Sequence, residues 1–359
     1  MQNSLLFIPD ISGYTKFVRH TEVQHSRHII SELLETLIDA NSMGLELVEI
    51  EGDALFYYKL DYSPNSDELL EQVRRMYLAF HQYLNSYATR RICPCGACET
   101  AVDLKIKFIV HSGPLDFIQV KDITKPYGES VIQAHRALKN SIEKPEYLML
   151  SSSLWNSLDT KPKEENWLLG KDEYDFGNLD YHFLDLLEWK KHLKKEPSKD
   201  HFDDKKPDII VSRDIPVPSK SLFELLSNLE YRMRWTDGIK ELKYKKNQVN
   251  SSGSTHVCVL KNGTINVESY IERRKNNSLI LGELTLDPPV ADSIAVLYIV
   301  TPLENDKSAN LTFEIRLDGK GIFFKLLLPF LKRKLKKSIA KNLDNIHSKA
   351  NALIEEYGL

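Results

Sequence analysis

The chain has no apolar run close to the roughly 18 residues that a membrane-spanning helix requires. Its start has no basic segment, no long apolar core and no small-residue cleavage site, so no secretory leader is expected and the expected location is cytoplasmic. It has no excess of one charge. Lys and Arg number 48 against 51 Asp and Glu, a formal net charge of -3, which argues against a dedicated nucleic-acid binder. Cysteine is scarce: four in 359 residues, three of them within "CPCGAC". Without an export signal, that pattern reads as reduced thiols or a metal site and not as a disulfide framework. No internal repeat is found. What is present is ordinary for a globular protein, with 42% hydrophobic and 28% charged residues. The length points to two domains.

Residues 5 to 190 alternate strand-like and helix-like segments. "LLFIPD" reads as a strand. "HIISELLETLIDAN" places Ile29, Ile30, Leu33, Leu34, Leu37 and Ile38 at helical spacing. "LELVEIEGDALFYYKL" reads as two strands turning at Gly52-Asp53. "SDELLEQVRRMYLAFHQYLNSY" is a helix with Ser66 expected as its N-cap. "LKIKFIVHSG" is an alternating strand, "GESVIQAHRALKNSI" a helix, and "EYLMLS" and "YHFLDL" strands. Residues 191 to 206 are charged with almost no apolar content and read as a linker. Beyond it come a strand, a helical stretch with an exposed-looking Trp235, and several alternating strands. A long last helix carries Leu331, Leu335, Ile339, Leu343, Ile346, Ala350 and Leu353 on one face.

Two carboxylates stand where strands break. Asp10 ends the strand in "LLFIPDISGYTKFV", and Asp53 follows Gly52 in the hairpin. Burying a carboxylate is costly unless something pairs with it. If the two strands are neighbours, the pair converges, and paired hard carboxylates suit Mg²⁺ or Mn²⁺. Backbone N–H groups of "ISGYT", before the next helix, can meet phosphates. The alternative is that Asp10 caps a helix and Asp53 is a turn residue.

These residues resemble a family. "FIPDISGYTKF" and "EIEGDALFYY" resemble the first strand and hairpin of class III nucleotide cyclases. "FIVHSGPL" resembles the strand that follows, and "YGESVIQAHRAL" the helix with catalytic groups. The resemblance covers about residues 4 to 188. It implies that Asp10 and Asp53 hold two metal ions. It also implies that the backbone of Ile11, Ser12, Gly13, Tyr14 and Thr15 meets a nucleoside triphosphate, and that Arg136 serves the transition state. Glu49 and Lys125 take the base-reading places; the alternative is an ordinary ion pair. The family works as a head-to-tail homodimer with shared sites. Two positions depart from its pattern. Ile132 stands where an asparagine is usual, and the segment before the last strand lacks the phosphate-binding lysine, with Lys171 just upstream.

The second cluster is Cys93, Cys95 and Cys98, between a helix and a strand. Three thiols so close can converge on one Zn²⁺, which usually takes four ligands. Cys258, His111, a partner chain or water are candidates for the fourth. Redox chemistry and a plain reduced loop are the alternatives.

The C-terminal half has short helices after its first strand, then antiparallel strands, then a long amphipathic helix. It resembles the START-like, polyketide-cyclase-type superfamily over about residues 207 to 355, through this order and "LFELLSNLEYRMRWTDGI". That resemblance implies a sheet curled around the last helix and a pocket for a hydrophobic small molecule; a filled core is the alternative. Lys332, Arg333, Lys334, Lys336, Lys337 and Lys341 make the last helix basic, which allows contact with an anionic membrane surface.

The expected fold class is α+β: a ferredoxin-like α/β sandwich over 1–190, a linker over 191–206 and a helix-grip domain over 207–359. The expected function is a metal-dependent nucleotide cyclase-like signalling protein with weak turnover, coupled to a ligand in its second domain. The alternative is an inactive cyclase fold that senses nucleotide or ligand.

Overall fold

The computed structural model describes residues 3–359 apart from 20–22, 164–165, 195–205, 247, 262, 273–276, 287, 289–290 and 320. Most of the expected linker lies outside the described residues. The architecture is mixed α+β, in two compact units: 1–86 with 100–195, and 87–99 with 196–359.

The elements run β1 (Ser4–Ser12), α1 (Tyr14–Arg19), α2 (Val23–Asp39), β2 (Glu46–Glu51), β3 (Ala54–Lys59), α3 (Ser66–Arg90) and α4 (Gly96–Thr100). Then come β4 (Lys105–Gly113), β5 (Asp116–Val120), β6 (Ile123–Tyr127), α5 (Glu129–Arg136), β7 (Tyr147–Ser151), α6 (Ser152–Ser157), β8 (Leu168–Tyr174) and β9 (Gly177–Asp185). The sheet order in this unit is β2-β3-β1-β4-β7-β9-β8, and β4–β7 is the parallel pair. Its β4-β1-β3-β2 part, joined as β-α-β-β-α-β, is the ferredoxin-like arrangement. Strand β1 sits inside the sheet and its residues from Ser4 to Pro9 are buried, which is why "SLLFIP" shows no polar alternation.

Several local readings are corrected. Asn65, not Ser66, caps α3: its Oδ1 accepts the Glu68 N–H at 2.7 Å. Helix α5 stops at Arg136 and tightens into a 3₁₀ turn over Ala137–Lys139. The β5–β6 hairpin and β8 have no strong sequence signal, because most of their residues are exposed and carry no two-residue alternation.

The second unit runs β10 (Ile209–Ile215), α7 (Ser219–Ser227), α8 (Arg232–Trp235), β11 (Ile239–Lys243), β12 (Thr255–Leu260), β13 (Gly263–Tyr270), β14 (Leu279–Leu286), β15 (Ser293–Leu303), β16 (Ser308–Asp318) and α9 (Ile322–Tyr357). Its antiparallel sheet has the order β10-β16-β15-β14-β13-β12-β11. Ile339, Leu343, Ile346, Ala350 and Leu353 of α9 share one core with Leu311, Phe313 and Ile315 of β16. Trp235 is buried, not exposed: the single turn of α8 directs its indole inward, where Nε1 donates to the Leu225 carbonyl at 3.1 Å. Among the described residues, no helix is long and apolar enough to cross a membrane.

In the first unit, the fully buried Glu146 ties α3 to the residues after β9. It meets His81 Nε2 at 2.6 Å, the Tyr77 hydroxyl at 3.2 Å and Lys190 Nζ at 2.6 Å. Burial alone would raise its pKa. Hydrogen bonding and charge from His81 and Lys190 outweigh that and hold it down, to about 2. A carboxyl lowered on folding contributes stability that is full above its ordinary pKa and is lost as pH falls through the folded value. Acid unfolding should therefore steepen between about pH 4.5 and pH 2. Removing one partner leaves a buried charge unpaired, so Glu146→Ala should cost about 3–5 kcal/mol in urea unfolding at neutral pH. The variant should also lose the steep acid limb, and a loss below about 1 kcal/mol would contradict this assignment.

Candidate functional site

Strand pairing places the two expected carboxylates together. Asp10 lies opposite Ala54 across β1 and β3, one residue from Asp53. The Ile11 N–H donates to the Asp53 carbonyl at 3.0 Å, which fixes the start of β3 against the end of β1. Gly52, at φ +70°, makes the turn that presents Asp53. Asp53 is half-buried, and its pKa is raised first by desolvation and next by the negative charge of Asp10, with Lys107 opposing. Lys107 Nζ stands 3.1 Å from Asp10 Oδ2 and also donates to the Leu138 carbonyl at 3.0 Å. Lys107 was missed from sequence. Its register opposite Asp10 in β4 is set by strand pairing, and "KIKFIV" alone gives no partner for it.

Of the five residues expected to meet phosphate through their backbone, Ile11 has its N–H occupied by Asp53. Gly13 is exposed at φ +91° and its carbonyl accepts the Phe17 N–H of α1. Ser12 and Tyr14 are partly exposed and Thr15 exposed, at the mouth of that short helix.

A second group of expected residues meets elsewhere in the same unit. Glu49, Lys125, Ile132 and Arg136 line one open cleft of about 540 Å³, with Glu51, His135 and Lys139. Glu49 and Lys125 form an ion pair between β2 and β6, and hydrogen bonding from Lys125 lowers the Glu49 pKa. Arg136 pairs with Asp175 at 3.0 Å, with both side chains about half exposed. An exposed pair of that kind is worth about 0–1 kcal/mol, so Arg136 is readily released to a better anion. His135 sits 2.9 Å from Glu51 Oε1 through Nε2 and 2.8 Å from the Val131 carbonyl through Nδ1. Lys125, Arg136 and Lys139 outnumber Glu49 and Glu51 in charge. His135 and Lys139 were also missed, though Ile132, His135 or Arg136, and Lys139 follow helical spacing. Ile132 is exposed and adds no polar group. Lys171 faces Asp180 at 3.8 Å on the β8–β9 ladder and does not line the cleft.

The cysteines form a third group. All four are free. Cys93, Cys95 and Cys98 each offer a sulfur, all within 4.8 Å of one another, a cluster able to contribute to a metal site. Neither Cys258 nor His111 belongs to it. Cys258 lies on β12, where it feels the charges of Arg232 and Glu283. His111 lies on β4 opposite Leu6.

The second unit holds a buried polar group. Arg232 Nη1 donates to Glu283 Oε2 at 3.1 Å and to the Tyr298 hydroxyl at 2.9 Å, while Nη2 also bonds Glu283. Tyr298 donates in turn to Glu283 at 2.8 Å. Beside them on the same sheet face, both ring nitrogens of His256 and the hydroxyl of Ser269 are buried without a hydrogen-bond partner among the described residues, as is Arg232 Nε.

A family profile described as Protein of unknown function (DUF2652) matches residues 30–147. Over about half its length the chain is similar to solved adenylyl and guanylyl cyclase domains. The guanylate cyclase domain of RhGC from Catenaria anguillulae, solved in complex with GTP, is 15% identical over 51% of this chain and 95% of that one, at a TM-score of 0.36. TTHA0849 from Thermus thermophilus is 14% identical over 40% of this chain and 97% of that one, at a TM-score of 0.32. The uncharacterized protein Rv2561/Rv2562 of Mycobacterium tuberculosis is 30% identical over 158 residues, 44% of this chain and 73% of that relative. With that identity over that share of the relative, the chain belongs to the family of Rv2561/Rv2562.

Proposed function

We propose that the first unit is a metal-dependent nucleotide cyclase-type domain that binds a nucleoside triphosphate between two copies of the chain. The observation that carries this reading is the division of the residues into two groups. Asp10 and Asp53 stand together at one place, and Glu49, Lys125 and Arg136 line a cleft that does not contain them. In a head-to-tail pair each carboxylate group would face the cleft of the other copy, which is the arrangement the resembling family uses.

The residues suit Mg²⁺ or Mn²⁺. Two carboxylates, one of them raised by desolvation and by its neighbour, concentrate negative charge that a hard cation offsets, and Lys107 offsets only part of it. Such a metal, when bound, supplies Lewis-acid polarisation of the ribose hydroxyl and of the phosphates. The chain's own groups bind and orient. Lys125 and Glu49 present a donor and an acceptor to a base, a pair suited to guanine or cytosine. Arg136, released from Asp175, meets the phosphates together with Lys139 and His135. Turnover should be weak, because Ile132 contributes no donor and losing one preorganised donor typically costs about 10²–10³ in rate. An inactive nucleotide sensor built on the same fold is the second reading, favoured by that same Ile132.

The second unit is read as a ligand-binding module coupled to the first. Its α9 side is filled by side chains. The unpaired His256, Ser269 and Arg232 Nε support a ligand with polar groups as well as apolar surface. Exposed Ile322, Leu326 and Phe330 on α9, with Arg333 and Lys337 on the same stripe, support contact with an anionic membrane surface.

Two outcomes test the main reading. With Mn²⁺ and each nucleoside triphosphate in turn, mass spectrometry should find a cyclic nucleotide formed slowly. Asp10→Ala should remove both product and nucleotide-dependent thermal stabilisation. If that variant is stabilised by Mn²⁺-nucleotide as wild type is, Asp10 is only a structural residue. The second outcome concerns assembly. Ile50, Phe117, Val120, Ile123, Tyr127 and Ile132 are exposed apolar residues on β2, the β5–β6 hairpin and α5. Light scattering should show a dimer at micromolar concentration, and Ile123→Lys should shift it to monomer. A wild-type monomer with and without nucleotide would contradict the shared site.

A further inference from the structure

The cysteine hook "CPCGAC" plays no part in the cyclase chemistry. It is short and follows α3, and its sulfurs are arranged as acceptors. The Cys95 N–H points at Cys93 Sγ at 3.4 Å, and the Cys98 N–H at Cys95 Sγ at 3.4 Å. The Tyr87 hydroxyl lies 2.9 Å from Cys98 Sγ. Backbone N–H groups directed at sulfur favour the thiolate, the form that ligates metals. Cys93 Sγ in turn donates to Glu224 Oε2 at 3.7 Å, a carboxylate that adds negative charge beside the sulfurs. Cys93 and Cys98 are buried and Cys95 partly so. With its thiols ionised and no cation, the hook would gather several like charges in a poorly solvated place, a costly arrangement.

We propose that Cys93, Cys95 and Cys98 bind one zinc-class divalent ion as thiolates, with the fourth position left to a further ligand. Soft thiolates select zinc over Mg²⁺ or Mn²⁺. Zn–S bonds of about 2.3 Å put the sulfurs of a tetrahedral site roughly 3.8 Å apart. The three sulfurs here lie within 4.8 Å of one another, so closure needs side-chain movements of about 1 Å and no refolding. Binding releases the thiol protons to solvent and leaves the sulfur oxidation state unchanged. The site is separate from Asp10 and Asp53 in both place and ligand type, so it stands or falls independently of the cyclase reading.

The test uses the full chain purified without chelator. Elemental analysis should find about one equivalent of zinc per chain. After chelation and reconstitution with Co²⁺, the visible spectrum should show the intense bands of tetrahedral cobalt and a thiolate charge-transfer band. X-ray absorption at the zinc edge should fit three sulfurs. Cys95→Ser should lose most of the zinc, whereas Asp10→Ala should keep it. The cobalt and absorption measurements on wild type decide the matter even if a variant fails to fold. Less than about 0.2 equivalents after zinc reconstitution, an oxygen-only shell, or full zinc retention in Cys95→Ser would overturn the proposal.

Discussion

Two carboxylates beside one lysine set the terms for the first unit. Asp10 closes a buried strand and Asp53 opens its neighbour, so strand pairing alone forces them together. The chain accepts this repulsion in a half-buried place and offsets it only in part, through Lys107 at 3.1 Å from Asp10. A turn with no function would not need the second acid, since asparagine or glycine serves a tight turn as well. Repulsion retained at a site is commonly the cost of binding a cation there. The rest of the unit is consistent with that. The ferredoxin-like sheet holds the acids rigidly, and the cleft with the cationic excess is built from the edge strand β2, the β5–β6 hairpin and α5.

The second unit shows the same economy in a different chemistry. Its Arg232–Glu283 pair is fully buried and shares Tyr298. Replacing such a pair by apolar residues is often neutral or stabilising, so its presence calls for a reason other than stability. The guanidinium also lies 4.8 Å from the centre of the Trp235 ring, which fixes its orientation. His256 and Ser269 beside it have buried polar atoms without partners among the described residues, each of which would normally be satisfied by water or a ligand. Polar residues placed on an inward sheet face, opposite a helix that fills its own side with Leu343, Ile346 and Leu353, mark a polar end to the core.

Much of this was legible in the sequence, and the reason differs by element. The first strand, its hairpin and the one-sided face of α9 were readable because burial dictates their pattern directly. Glu49 and Lys125 were readable as a pair through the family resemblance, and the structure shows them bonded to each other. Lys107 was not readable, because a lysine in an alternating strand looks solvent-facing until the strand's neighbour is known. Trp235 looked exposed because charged Arg232 and Arg234 flank it. In the structure Arg232 is itself buried by Glu283, and that inverts the expectation.

The most direct measurement is an electron paramagnetic resonance titration of Mn²⁺ with a non-reacting triphosphate analogue present, on wild type, Lys107→Met and Asp53→Asn. If Asp10 and Asp53 form a cation site in which Lys107 competes, bound Mn²⁺ should rise in Lys107→Met and fall to background in Asp53→Asn. In the metal-free state Asp53→Asn should melt slightly higher than wild type, because the repulsion from Asp10 is gone. Equal Mn²⁺ binding in wild type and Asp53→Asn would contradict the account.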